Sequence, residues 1–225
     1  MTSAWPSQEG CPPRGIERQV TTFRFHVAVL IVDSMNENHA LCATREWSEH
    51  MRDDVIAYMI AHADFGELML EIGPGPGAST EWLRHQVRQL VAIELDESLA
   101  VDLSRRYAGT NVEVVVGDAN ALAYPDDTFD SVGCFTMLHH VPTARLQNAI
   151  LAETLRVLRP GGTFVASDNL PGDGLHRFHV DDTCNPIDPV SLIARLQTIG
   201  FDRITVVIEN ILKFIAHKPA PGDPD

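Results

Sequence analysis

Apolar and polar positions follow two rhythms along this chain. Between Arg45 and His62, Trp47, Met51, Val55, Tyr58 and Met59 recur at helical spacing, which predicts an amphipathic helix over 45–62. Beyond it lie short runs that are apolar at almost every position: from Leu70, from Leu90, over 112–116, from Phe129, and after Gly162. Runs without a polar face belong to strands buried on both sides, as in a parallel sheet covered by helices. Helical periodicity fills the intervals and predicts helices over 79–88, 98–107, 143–158 and 188–199. The last two runs, 204–210 and 211–218, follow one another with almost no connection, so they must pair antiparallel as a hairpin. The expected fold is α/β, a doubly wound, seven-stranded, mostly parallel sheet that ends in an antiparallel hairpin.

Residues 1–34 stand apart from this pattern. Pro6, Gly10, Pro12, Pro13 and Gly15 read as a disordered extension, with a stray strand over 20–32 and Met35 as a candidate start. Residues 35–218 are then one domain and 219–225 a flexible tail. A chain of 225 residues, 44% apolar, can bury one sizeable core and no second full domain.

Candidate chemistry concentrates where the first strand ends. Leu70-Glu71-Ile72-Gly73-Pro74-Gly75-Pro76-Gly77-Ala78-Ser79-Thr80 runs a strand through glycine turns into a helix start. Such a turn lets a ligand approach the backbone closely and offers it the unpaired N–H groups of the helix. Gly73-x-Gly75-x-x-Ala78 also fits the dinucleotide fingerprint, so this segment alone leaves the cofactor open. Glu94 and Leu95 end the second strand, where a carboxylate can accept hydrogen bonds from two ribose hydroxyls. Asp118 and Ala119 end the third, where the acid can accept from an exocyclic amine. A fourth strand from Phe129 leads to Leu138-His139-His140-Val141, and Leu158-Arg159-Pro160-Gly161-Gly162 turns into the fifth.

These motifs in this order resemble the class I S-adenosylmethionine-dependent methyltransferases over roughly residues 45–218, and within them the small-molecule branch that includes quinone-biosynthesis enzymes. The resemblance implies a Rossmann-like methyltransferase fold and S-adenosyl-L-methionine as cofactor. It assigns Glu71, Gly73, Gly75 and Gly77 to the methionine moiety, Glu94 and Leu95 to the ribose side, and Asp118 and Ala119 to the adenine edge. Phe135, Thr136 and Met137 would line the floor near the sulfonium. The helix over 45–62 would act as a lid, with Trp47 and His50 facing substrate.

Methyl transfer from a sulfonium depends chiefly on in-line positioning and desolvation. If the acceptor must lose a proton, His139 and His140 are the candidate bases, because imidazole accepts a proton near neutral pH. Asp168-Asn169 resembles the Mg²⁺-binding turn of catechol-type O-methyltransferases, yet the fourth strand ends without the matching carboxylate, so no metal is expected. His176-x-x-His179 reads as loop or pocket wall within the long stretch 170–189.

Composition narrows the partners. A net charge of −14 disfavours nucleic acid, since phosphate binding needs a basic face. Scattered Cys11, Cys42, Cys134 and Cys184 suit a reducing cytoplasm, and no apolar run reaches membrane-spanning length. With only two lysines, Lys213 and Lys218, a Tyr-x-x-x-Lys hydride-transfer pair is impossible, which sets an NAD-binding oxidoreductase well behind. The expected function is methylation of a small-molecule acceptor, the alternative being a cofactor-binding domain that regulates or scaffolds.

Overall fold

The computed structural model describes residues 37–222. The expectations for residues 1–34 and for the last three positions of the tail lie outside them. After a 3₁₀ turn (Glu37–Ala43), α1 (Arg45–His50) continues through a π-wound segment (Met51–Ile56) into α2 (Ala57–His62). There follow β1 (Leu68–Ile72), α3 (Thr80–Leu83), β2 (Gln89–Glu94), α4 (Glu97–Arg106), β3 (Val112–Val116) and β4 (Phe129–Phe135). A second 3₁₀ turn (Leu138–His140) leads to α5 (Ala144–Val157), β5 (Leu158–Asp168), α6 (Asp173–Phe178), α7 (Pro189–Ile199), β6 (Asp202–Ile208) and β7 (Leu212–His217).

The seven strands form one sheet in the order β3-β2-β1-β4-β5-β7-β6. β1 to β5 pair in parallel, while β7 lies antiparallel between β5 and β6. The α/β doubly wound fold read from the hydrophobic pattern is thus the fold observed. Because β1 neighbours both β2 and β4, the winding direction reverses between β1 and β4, and a crevice opens beyond their C-terminal ends.

Alternate strand residues feed two cores, one on each face. Met69, Leu90, Val165 and Ile215 meet Met51, Val55, Ile56 and Met59 of the N-terminal helix. On the other face Leu70, Val91, Val132 and Phe164 meet Ile150 and Leu151 of α5 and Leu192 and Leu196 of α7. Burying each such side chain stabilises the fold by about 1.5–3 kcal/mol.

Helix starts lie at residues able to cap them. Thr44, Asp96, Thr143 and Asp188 accept from the first-turn N–H groups of α1, α4, α5 and α7, and Gly200 ends α7 in the left-handed region. Three expectations need correction. The helix predicted over 79–88 stops at Leu83, where i→i−3 bonds take over from His85 N to Trp82 O and Gln86 N to Leu83 O, and the Arg84 and Val87 carbonyls beyond accept Asn111 Nδ2 at 2.7 and 3.0 Å. The π segment shifts the buried stripe of 45–62, so Ile56 is fully buried and Tyr58 only partly. The stretch 170–189, read as irregular, contains the short helix α6. Among the described residues no helix is long and apolar enough to cross a membrane.

Candidate functional site

The glycine turn after β1 packs directly against the turn after β4. Gly73 has φ +63°, and a Cβ placed on it would lie 2.3 Å from Met137 Cγ, so only glycine fits. At Gly75, φ is +54° but a Cβ would meet nothing within 4 Å, which leaves this part of the backbone open to a ligand. Gly77 closes the turn by donating its N–H to the Pro74 carbonyl at 2.9 Å.

Glu71 lies beneath this turn rather than at its surface. Its carboxylate is 1% exposed and accepts from the Ser79 and Thr80 hydroxyls, the latter at 2.7 Å, which ties the end of β1 to the start of α3. Burial pushes its pKa from the ordinary 4.5 up to about 7, against the pull of the two hydroxyl donors. Folded protein therefore retains a proton that the unfolded chain has released between these values. The resulting stability is complete below about pH 4.5 and is lost as pH rises through about 7, a decline of about 3 kcal/mol. Glu71→Gln cannot titrate, so urea unfolding at pH 5 and pH 8 should show this decline in the wild type and lack Glu71's share of it in the variant.

Glu94 ends β2 at the lip of the crevice, 8% exposed. Its two oxygens accept from Gly75 N at 2.9 Å and Asp96 N at 3.0 Å, and burial raises its pKa against these donors. Leu95 beside it is half exposed. Past β3, Asp118 Oδ1 is held in an Asx turn by Asn120 N at 2.8 Å and Asn120 Nδ2 at 2.9 Å, while Ala119 packs against the core.

Beyond β4, Thr136 is held in the left-handed region at φ +49° while its N–H donates to the Ser167 carbonyl at 2.8 Å. A β-branched residue there is strained by about 1–3 kcal/mol, and such strain gathers at functional sites. Thr136→Gly should accordingly raise stability by about 1 kcal/mol in chemical denaturation, after the entropy glycine adds to the unfolded chain.

The two candidate bases are differently placed. His139 is 2% exposed, and its backbone N–H and Nδ1 both engage Asp168, the N–H at 3.0 Å, with Asp168 itself fully buried at the end of β5. His140 is half-buried. Desolvation, then the neighbouring imidazoles of His139, His179 and His39, lower its pKa to about 2, so its protonated form is strongly disfavoured. The His139 and His140 rings also lie against each other, tilted by 38° with centroids 4.2 Å apart.

Other expected contacts fall elsewhere. His50 is exposed and pairs with Asp54 at 2.6 Å, and Trp47 packs on the core beside the buried Met51. The N-terminal helix is instead fixed to the glycine-turn helix by Ser48 and Trp82: Trp82 Nε1 donates to Ser48 O at 2.9 Å and Ser48 Oγ to Ala78 O at 3.1 Å. Ser79 and Thr80 were legible as a helix start but not as partners of Glu71. His39 carried no sequence signal, and it reaches His140 and His179 only through the fold.

A family model described as a methyltransferase domain matches residues 70–166, from β1 through most of β5. A fatty-acid O-methyltransferase of Mycolicibacterium smegmatis is 36% identical over 114 residues, 49% of this chain and 40% of that protein. A ubiquinone/menaquinone biosynthesis C-methyltransferase of Desulfotalea psychrophila is 32% identical over 104 residues, 46% of this chain and 41% of that protein. The chain spans about two fifths to three fifths of the length of such curated relatives. The fold is shared with a Haemonchus contortus phosphoethanolamine N-methyltransferase in complex with S-adenosyl-L-methionine, with TM-score 0.63, 15% identity, and coverage of 77% of this chain and 53% of that one. In its sheet order this chain shares the fold of that solved methyltransferase, and its residues 70–166, which carry the glycine turn and the acidic β2 end, match a methyltransferase domain.

Proposed function

We propose that the chain methylates a small-molecule acceptor from S-adenosylmethionine in the crevice between β1 and β4. The observation that carries this reading is the convergence there of the open Gly75 backbone, the Glu94 carboxylate and the strained Thr136 turn. These residues fit the cofactor. The backbone at Gly75 offers close approach with no side chain in the way, and Glu94 keeps unused lone pairs for ribose hydroxyls. Leu95 offers an apolar face and Asp118 a further acceptor for an adenine edge. When bound, the cofactor supplies a methyl group on a cationic sulfur.

The chain's own contribution is positioning and, for an acceptor that must lose a proton, a base. Asp168 can take the Nδ1–H of His139, which leaves Nε2 as the proton acceptor with its ring fixed in place. His140 is the poorer base, since its protonated form is disfavoured by burial. The names of the relatives, one for fatty acids and one for quinone biosynthesis, support an apolar acceptor with an oxygen or carbon nucleophile.

Calorimetric titration with S-adenosylmethionine, S-adenosylhomocysteine and NAD tests the reading, with Gly75→Val as the control that fills the open space. Micromolar binding of the two sulfur compounds by the wild type and none by the variant is the expected result. Turnover is then screened on fatty acids, quinols and small-subunit ribosomal RNA. Methylation of the RNA alone would overturn the small-molecule acceptor, and cofactor binding without turnover of any acceptor would favour a regulatory domain.

A further inference from the structure

We propose that His39, His140, His179 and Asp182 bind one divalent transition-metal ion, Zn²⁺ by preference, beside the turn after β4. One potential ligand atom from each of the four lies within 4.8 Å of every other. His39 Nε2 is 3.5 Å and His179 Nδ1 3.1 Å from the same oxygen, Asp182 Oδ2. Donors around a tetrahedral Zn²⁺, with bonds of about 2.0–2.1 Å, stand about 3.4 Å apart.

The imidazoles repeat the match. The ring centroids of His39, His140 and His179 form a nearly equilateral triangle with sides of 5.1, 4.9 and 4.9 Å. Three imidazoles bonded to one tetrahedral ion have centroids about 5 Å apart. Three nitrogens and one carboxylate oxygen are a donor set suited to Zn²⁺ rather than to Mg²⁺ or Ca²⁺.

Three segments far apart in sequence bring these residues together. His39 comes from the 3₁₀ turn before α1, His140 from the turn after β4, and His179 and Asp182 from the end of α6. Asn38 Nδ2 donates to the Phe178 carbonyl at 2.7 Å and holds the first segment against the third. His179 is 4% exposed, so the nitrogen it turns towards Asp182 is shielded from water. The expectation of no metal rested on the missing carboxylate after β4 and on Asp168-Asn169, neither of which belongs to this set.

The site does not rest on the methyltransferase reading. Full-length protein stripped with a chelator is titrated with Co²⁺ and watched for the intense visible bands of a four-coordinate ion, then with Zn²⁺ by calorimetry. One equivalent of either ion should bind, with Zn²⁺ displacing Co²⁺ and raising Tm. His179→Ala and His39→Ala should each weaken binding by about 100-fold or more, while the exposed His176→Ala binds as the wild type does. No saturable binding, a six-coordinate spectrum, or equal affinity in His39→Ala and His179→Ala would overturn the proposal. S-adenosylhomocysteine binding by the same samples separates the two readings: metal without cofactor sinks only the methyltransferase proposal, and cofactor without metal sinks only this one.

Discussion

Asp168→Ala is expected to destabilise the fold by about 3–5 kcal/mol, the cost of leaving buried charged or polar partners uncompensated. The Asp168 carboxylate is fully buried and serves the backbone N–H of His139, the Nδ1 of its ring and, at 2.8 Å, the N–H of Asn169. Removing it orphans all three at the junction of β5 with the turn after β4. The two His139 groups are buried, so water does not readily take the carboxylate's place there. Asp168→Asn keeps an acceptor but turns an amide towards a donor, so it should be milder. Urea unfolding of both variants, with a midpoint for Asp168→Ala near that of the wild type, would show that His139 is held by something else.

Glu94→Ala is expected to weaken binding of S-adenosylhomocysteine by about 10- to 150-fold, or about 1–3 kcal/mol. Two effects add. The variant loses the carboxylate that would accept from the ribose, and it releases Gly75 N and Asp96 N, which now converge on that carboxylate at 2.9 and 3.0 Å. Glu94→Gln separates them, because one amide oxygen can still accept while its NH₂ faces a second donor. Calorimetry that finds the alanine variant binding as tightly as the wild type would remove Glu94 from the cofactor site.

The sheet was legible because its information is local. Unbroken apolar runs such as 90–93 name buried strands, and residues like Thr143 and Asp188 mark helix starts by their capping chemistry. The end of α3 was not, because the chain beyond it is held by Asn111, more than twenty positions away, through the Arg84 and Val87 carbonyls. The same distinction divides the site. Glycines after a strand announce a turn, and an acid at the end of β2 announces an acceptor. That Glu71 faces Ser79 and Thr80 from below, or that Asp168 holds His139, depends on how strands stack and which way a side chain points. The trio His39, His140 and His179 was beyond reach for the same reason, as its members lie far apart along the chain.

The close approach of Gly73 to Met137 has a bearing on how this protein could change over time. The Met137 side chain, proposed to line the floor of the site, occupies the space that a Cβ on Gly73 of the proposed cofactor turn would need. On that proposal, a mutation that enlarges or reshapes position 137 presses on the glycine turn at residue 73. Variants selected for altered acceptor range should carry compensating changes at or near residue 73, so that the two halves of the crevice drift together rather than separately.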